Sequence, residues 1–203
     1  MKKILCFGDS NTFGYIPNDG GQYADGVRWT SRLANLLGKN YQIIEAGCSN
    51  RTCFSDNDEG DIKTGYKAIE KYLPNKYDCI LVAVGVNDIQ LFYKPTLEEF
   101  EQGCEKFIKQ IKSKKKKKIV IVAPPIVKDC VKQGTSAFQF DDESIEKSKY
   151  LPDICKRIAE RNDCYFIDFN DRVQVSNLDG LHYMPEAHAQ IADILSKYLR
   201  DVV

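Results

Sequence analysis

A three-layer α/β/α sandwich around a five-stranded, mostly parallel sheet is the fold class the sequence predicts, and two observations carry it. Short β-branched runs alternate with amphipathic stretches along the whole chain. One of those runs, Cys79 to Val84, is apolar without interruption, as expected of a strand covered on both faces. Right-handed crossovers between successive strands follow from that alternation.

Ile4 to Phe7 forms the first strand, and Arg28 to Leu37 a helix that Gly38 can terminate. Tyr41 to Ala46 is the second strand, and a helix from about Ile62 to Tyr72 leads into the third, Cys79 to Val84. Thr96 followed by Glu99 has the spacing of a capping box. Phe100, Cys104, Phe107, Ile108 and Ile111 then recur at helical spacing up to Ser113. Ile119 to Ala123 is strand four, stopped by Pro124 and Pro125. A polar, Gly-containing stretch runs to about Asp142, a helix continues to Arg161, a fifth strand covers Tyr165 to Asp168, and Pro185 starts the last helix. Lys114 to Lys118 reads as a solvated turn whose cations suit the preceding helix end. No aromatic residue is interleaved with it, as a single-strand nucleic-acid site would require.

The 203 residues, 43% of them hydrophobic, suit a single domain spanning 1–203. Lys and Arg total 29 and Asp and Glu total 29, so no global field draws the protein toward nucleic acid or an anionic membrane. Met1 to Gly8 has neither the length nor the cleavage pattern of a signal peptide, and no stretch is long enough to span a bilayer, so a cytoplasmic location is expected. The eight cysteines, Cys6, Cys48, Cys53, Cys79, Cys104, Cys130, Cys155 and Cys164, contain no C-x-x-C pair. Most of them read as small buried hydrophobes in a reducing compartment.

In an open parallel sheet, ligands bind beyond the carboxyl ends of the strands, which directs attention to the residues following each one. Strand one ends in Gly8-Asp9-Ser10-Asn11-Thr12, strand two in Gly47-Cys48-Ser49-Asn50-Arg51-Thr52, and strand three in Gly85-Val86-Asn87-Asp88; Asp179-Gly180-Leu181-His182 lies past strand five. Ser10 is the candidate nucleophile, and a hydroxyl needs a neighbouring base to take its proton as it attacks. Of only two histidines, His182 has an Asp three residues upstream able to fix its tautomer and stabilise its charged form. His188 falls within the amphipathic pattern of the last helix and reads as a packing or helix-surface residue. An oxyanion formed in acyl transfer needs donors already aimed at it. The Asn87 amide and the Ser10 backbone N–H are natural suppliers, with a third from the loop backbone around Asn50. Asp9 and Asp88 are expected to orient loops through backbone hydrogen bonds.

Ser after strand one, Asn after strand three and D-x-x-H before the last helix resemble the SGNH, or GDSL, superfamily of hydrolases over nearly the whole chain. A closer similarity is to its bacterial arylesterase and acyltransferase branch, carried by Cys6-Phe7-Gly8-Asp9-Ser10, Val27-Arg28-Trp29, Glu45-x-Gly47, Arg51-Thr52 and Asp179-Gly180-Leu181-His182. The resemblance implies a flavodoxin-like SGNH hydrolase fold and a serine esterase that hydrolyses or transfers short acyl groups through a Ser10 acyl-enzyme. Ser10, Asp179 and His182 would be catalytic, and Ser10, Asn50 and Asn87 would form the oxyanion hole, with no cofactor and no metal. The second block of the family places a small residue, often glycine, where this chain has Asn50, with Gly47 three residues earlier as the alternative donor. A small-molecule ester is the implied partner, with neither nucleic acid nor membrane. A homo-oligomer is compatible with the family, and the 127–142 segment could serve as lid, interface or ordinary surface loop.

Carbohydrate O-deacetylation and lysophospholipid or thioester cleavage use the same machinery and stand as alternatives. Two readings of other classes remain: a flavodoxin-like binding module, which leaves D-x-x-H and Gly-x-Asn-Asp unused, and a metal phosphoesterase gathering Asp9, Asp88, Asp179 and His182 around a metal.

Overall fold

Strands β1 (Lys2–Gly8), β2 (Tyr41–Gly47), β3 (Cys79–Ala83), β4 (Lys118–Val122) and β5 (Tyr165–Ile167) pair in the order β2-β1-β3-β4-β5, every pairing parallel. This is a computed structural model, and it describes residues 1–114 and 118–203. Successive strand side chains point to opposite faces, so each strand feeds two cores. Leu5, Phe7, Ile80, Val82, Ile119 and Ile121 are buried on one face, and Ile4, Cys6, Cys79, Leu81, Val120 and Val122 on the other. Burying one such aliphatic or aromatic side chain contributes roughly 1.5–3 kcal/mol, which commits both faces to a helical cover.

The helices are α1 (Ser10–Phe13), α2 (Trp29–Leu37), α3 (Gly65–Ala68), α4 (Leu97–Lys114), α5 (Asp142–Ser148), α6 (Leu151–Arg161) and α7 (Pro185–Val202). Phe100, Phe107 and Ile111 of α4 and Ile154 and Ile158 of α6 close the first core, while Trp29 and Leu33 of α2 and Ile191 and Leu195 of α7 close the second. The capping box forms: the Thr96 N–H donates to Glu99 Oε2 at 2.8 Å and the Glu99 N–H to Thr96 Oγ1 at 3.1 Å. Gly38 ends α2 with its N–H on Ala34 O.

Two expected helices are interrupted. In the 62–72 segment, Ile62 and Lys63 lie in a turn, Thr52 N–H donates to Lys63 O at 2.9 Å and Thr52 bridges Thr64, so the helical ladder does not start there. Helix begins only at Gly65 and continues as a 3-10 turn over Ile69–Lys71. The 142–161 helix divides into α5 and α6, because Pro152 lies in the first turn of α6 and supplies no N–H to carry a continuous ladder. Lys114 ends α4 and Lys118 opens β4; the lysines between them lie outside the described residues. All eight cysteines are free thiols, five of them buried.

The chain runs from β1 outward to β2 and then returns to β3, so the connections leave β1 and β3 in opposite directions. A crevice opens at that switch point. Ser10 follows β1 and Asn87 follows β3, which places both at its mouth.

Candidate active site

Ser10 opens α1, a single helical turn seated on the ends of β1 and β2. Asp9 caps it by accepting the Asn11 N–H at 2.9 Å, and Gly14 closes it at φ 82°. The seat is tight. A Cβ on Gly47 would come within 2.2 Å of the Phe13 nitrogen, so this glycine serves the close approach of α1. The Asp9 carboxyl is pushed up to about 7 by burial, against the opposing Asn11 N–H.

The loop before α7 brings two further groups to Ser10. His182 Nε2 lies 2.9 Å from Ser10 Oγ, and His182 Nδ1 lies 2.7 Å from Asp179 Oδ2. Asp179 Oδ1 accepts the backbone N–H groups of Leu181 at 3.2 Å and His182 at 3.1 Å, so both carboxylate oxygens are engaged. Burial raises the Asp179 pKa, but the His182 ring and those two N–H groups outweigh it and hold the carboxyl below its ordinary value. The Tyr15 ring stacks on the imidazole at 4.3 Å between centroids, so His182 is fixed in plane as well as along its hydrogen bonds.

Opposite them lies a second set. Asn87 sits in the 3-10 turn Val86–Ile89 with its Nδ2 donating to Arg51 O at 3.0 Å. Asn50 holds a left-handed backbone, φ 62°. Neither Ser10 N–H nor Asn50 N–H has an acceptor among the described residues. The loop carrying Asn50 is held from two directions. The Arg51 side chain, fully buried, donates through Nη1 to Gly8 O at 2.9 Å and to Ala46 O, and through Nε to Ile62 O at 3.0 Å. Asp88 accepts three successive backbone N–H groups, Cys53 at 2.5 Å, Phe54 at 3.0 Å and Ser55 at 2.9 Å. Asp9 and Asp88 therefore do orient loops, as expected.

Ser10, Asn50, Asn87 and His182 line one cleft of about 280 Å³. The 127–142 segment supplies a wall through Thr135, Ser136, Phe138 and Gln139, while Phe140 turns into the core. Phe138, 66% exposed, pairs with the 60% exposed Phe92 at the rim, ring centroids 6.5 Å apart. Gly47 is not among the residues lining the cleft. Tyr15, Ser49 and Gln90 belong to the surroundings of the site and were not singled out from the sequence; their tertiary approach leaves no local signal, save that Gln90 follows Asn87 by three residues. Among the described residues, no three His, Cys, Asp or Glu side chains form a set that could hold a metal ion, and no helix is long and apolar enough to cross a membrane.

The GDSL-like lipase/acylhydrolase family profile matches residues 6–190, nearly the whole chain and all the residues of this cleft. The chain belongs to that family. As a GDSL-like acylhydrolase it is an ester-hydrolysing enzyme, and its fold is the SGNH hydrolase fold. Among solved structures it is similar to an aryl esterase from M. smegmatis, with 24% identity, TM-score 0.92 and 100% of each chain covered. It is also similar to a carbohydrate acetylesterase from Sinorhizobium meliloti, with 25% identity, TM-score 0.89 and 100% of each chain covered. A carbohydrate acetylesterase family member from the same organism shares 26% identity, with TM-score 0.86 and 98% of each chain covered. No curated protein sequence matches the chain.

Proposed function

We propose that this GDSL-like hydrolase is a serine esterase that hydrolyses or transfers short acyl groups of carboxylic esters. The observation that carries the reading is the unbroken hydrogen-bond chain Ser10 Oγ, His182 and Asp179, opening into a cleft that Asn50 and Asn87 also line. Ser10 Oγ attacks the ester carbonyl carbon as its proton passes to His182 Nε2. Asp179 holds the imidazole with its proton on Nδ1 and balances the charge that forms. The carbonyl electron pair becomes an oxyanion facing the Ser10 and Asn50 N–H groups and Asn87 Nδ2, donors whose positions are set before substrate arrives. Collapse releases the alcohol, which takes the proton from His182 and leaves an acyl group on Ser10. Water, or a second alcohol, then loses its proton to His182 while attacking that acyl group, and Ser10 is regenerated. The chemistry draws on protein groups alone, without cofactor or metal.

A short acyl group is supported by cleft size. At about 280 Å³ the space is at the small end of ligand sites, which run from roughly 300 to 1,000 Å³. O-deacetylation of a carbohydrate is the second reading, favoured by the polar wall of Thr135, Ser136 and Gln139 and by similarity to the S. meliloti acetylesterase.

Aryl esters of increasing acyl length, each assayed with water and with added alcohols on wild type and Ser10→Ala, test this. Acetyl and propionyl esters are expected to turn over faster than octanoyl esters, and the variant to lose about 10⁴-fold or more of kcat with its fold intact. Near wild-type turnover by Ser10→Ala overturns the reading.

A further inference from the structure

The two asparagines proposed to face the oxyanion come from different loops, and a single side chain joins them. Gln90, 1% exposed, donates from the same Nε2 to Asn87 Oδ1 at 2.9 Å and to Asn50 Oδ1 at 2.8 Å. Its position follows from the turn that carries Asn87: in a 3-10 turn, side chains three residues apart eclipse, and Gln90 directly ends that turn. We infer that Gln90 is a positioning residue that sets which way the Asn87 amide faces and ties it to the Asn50 loop.

An asparagine side chain is nearly symmetric in shape but not in chemistry, since one end accepts and the other donates. Turned over, Asn87 would present an oxygen to the oxyanion and repel it. Gln90 Nε2 admits only the Asn87 oxygen on its side, which sends Nδ2 the other way. One Nδ2 proton then goes to Arg51 O, leaving the second for the cleft that Asn87 lines. At Asn50 the same Nε2 holds Oδ1, while Asn50 Nδ2 donates to Glu59 and Asn50 O accepts from Asn57 Nδ2 at 2.7 Å. The Asn50 side chain is thereby held in place, and its left-handed backbone keeps the N–H in one direction. Gln90 acts through these two residues; it does not line the cleft itself.

This inference rests on the esterase reading above, and its test separates the two. Gln90→Glu keeps the shape but replaces both donated protons with a charge that accepts. Asn87 is then expected to turn its Nδ2 toward Glu, lowering kcat about 100-fold, the usual scale for one lost oxyanion donor. KM for a short aryl ester stays within about threefold, because the ground-state carbonyl does not depend on those donors. Gln90→Met, which preserves volume and removes the donors without imposing a flip, is expected to lower kcat about tenfold with KM again unchanged; it also serves if the Glu variant does not fold. In an Asn87→Ala background either Gln90 change has much less effect, because its main target is gone. Loss of kcat of the same size with and without Asn87, or a folded Gln90→Met variant within twofold of wild type, overturns the inference. Ser10→Ala measured beside them identifies which idea fails. If it retains activity, the esterase reading falls; if it is inactive while Gln90 variants are normal, only the role of Gln90 falls.

Discussion

The chain contains two histidines, six residues apart, and the fold places them in two regions that surround an imidazole in opposite ways. Both are buried, 3% exposed at His182 and none at His188. At His182 each ring nitrogen meets a polar side chain, Asp179 on one side and Ser10 on the other. At His188 one nitrogen accepts the Trp29 N–H at 3.3 Å, the other has no partner among the described residues, and the faces and edges meet Tyr23 and Tyr183. Burial pushes the His188 pKa down to about 4, with the cations of Arg32 and Arg28 adding to it, so this ring is a neutral packing element of α7. Burial alone therefore does not make a histidine a base; the role proposed for His182 rests on a carboxylate at its far nitrogen and a hydroxyl at its near one.

The largest effect comes from making the first region resemble the second. Asp179→Asn removes the charge that balances imidazolium and offers an amide N–H to Nδ1, which favours the wrong tautomer. A loss of roughly 10³–10⁴ in kcat is expected, with a folded protein by circular dichroism. A loss below tenfold would mean that Asp179 does no more than shape its loop.

The smallest effect on turnover is expected at His188. His188→Asn keeps an acceptor for the Trp29 N–H and should leave kcat/KM within about threefold of wild type. Its signature is in stability instead. Between pH 6.5 and about 4 the unfolded chain binds a proton at His188 that the folded chain does not, so wild type loses stability as the pH falls through that window. The loss is on the order of 2–3 kcal/mol, and the variant should lack it, measured as urea midpoints at pH 7 and pH 4.5. Equal losses in both proteins would show that His188 is already charged in the fold.

The strands were legible because each is an apolar run between turn residues, and the observed ends fall within about a residue or two of those expected. Capping at Thr96 and Glu99 and the start of α7 at Pro185 were legible for the same local reason. The break in the 62–72 helix was not, because it depends on Thr52 pairing with Thr64, twelve residues away in sequence. The break before α6 was signalled by Pro152, which the amphipathic pattern around it obscured. Asp9 and Gly14 bracket α1 as N-cap and C-cap, a one-turn signal too short to stand out beside the strand before it. Around the cleft, the candidates Ser10, Asn50, Asn87, Asp179 and His182 could be picked out because chemistry restricts the residue types after strand ends. Tyr15 and Gln90 could not, since stacking and bridging depend on where loops meet.

The three N–H groups taken by Asp88 belong to consecutive residues, and this sets a rule for changes in chain length. A carboxylate that holds Cys53, Phe54 and Ser55 fixes the number of residues between Arg51 and those three amides as firmly as it fixes their direction. Adding or deleting one residue between Asn50 and Ser55 would slide the wrong amides onto Asp88 and rotate Asn50 away from Ser10. Gly60, an exposed glycine at φ 110° with open space around its α-carbon, lies between Ser55 and Ile62, outside the residues that Asp88 holds. Insertions are therefore expected to be tolerated around Gly60 and Asp61, leaving a nearby place where the outer loop can lengthen without disturbing the chemistry.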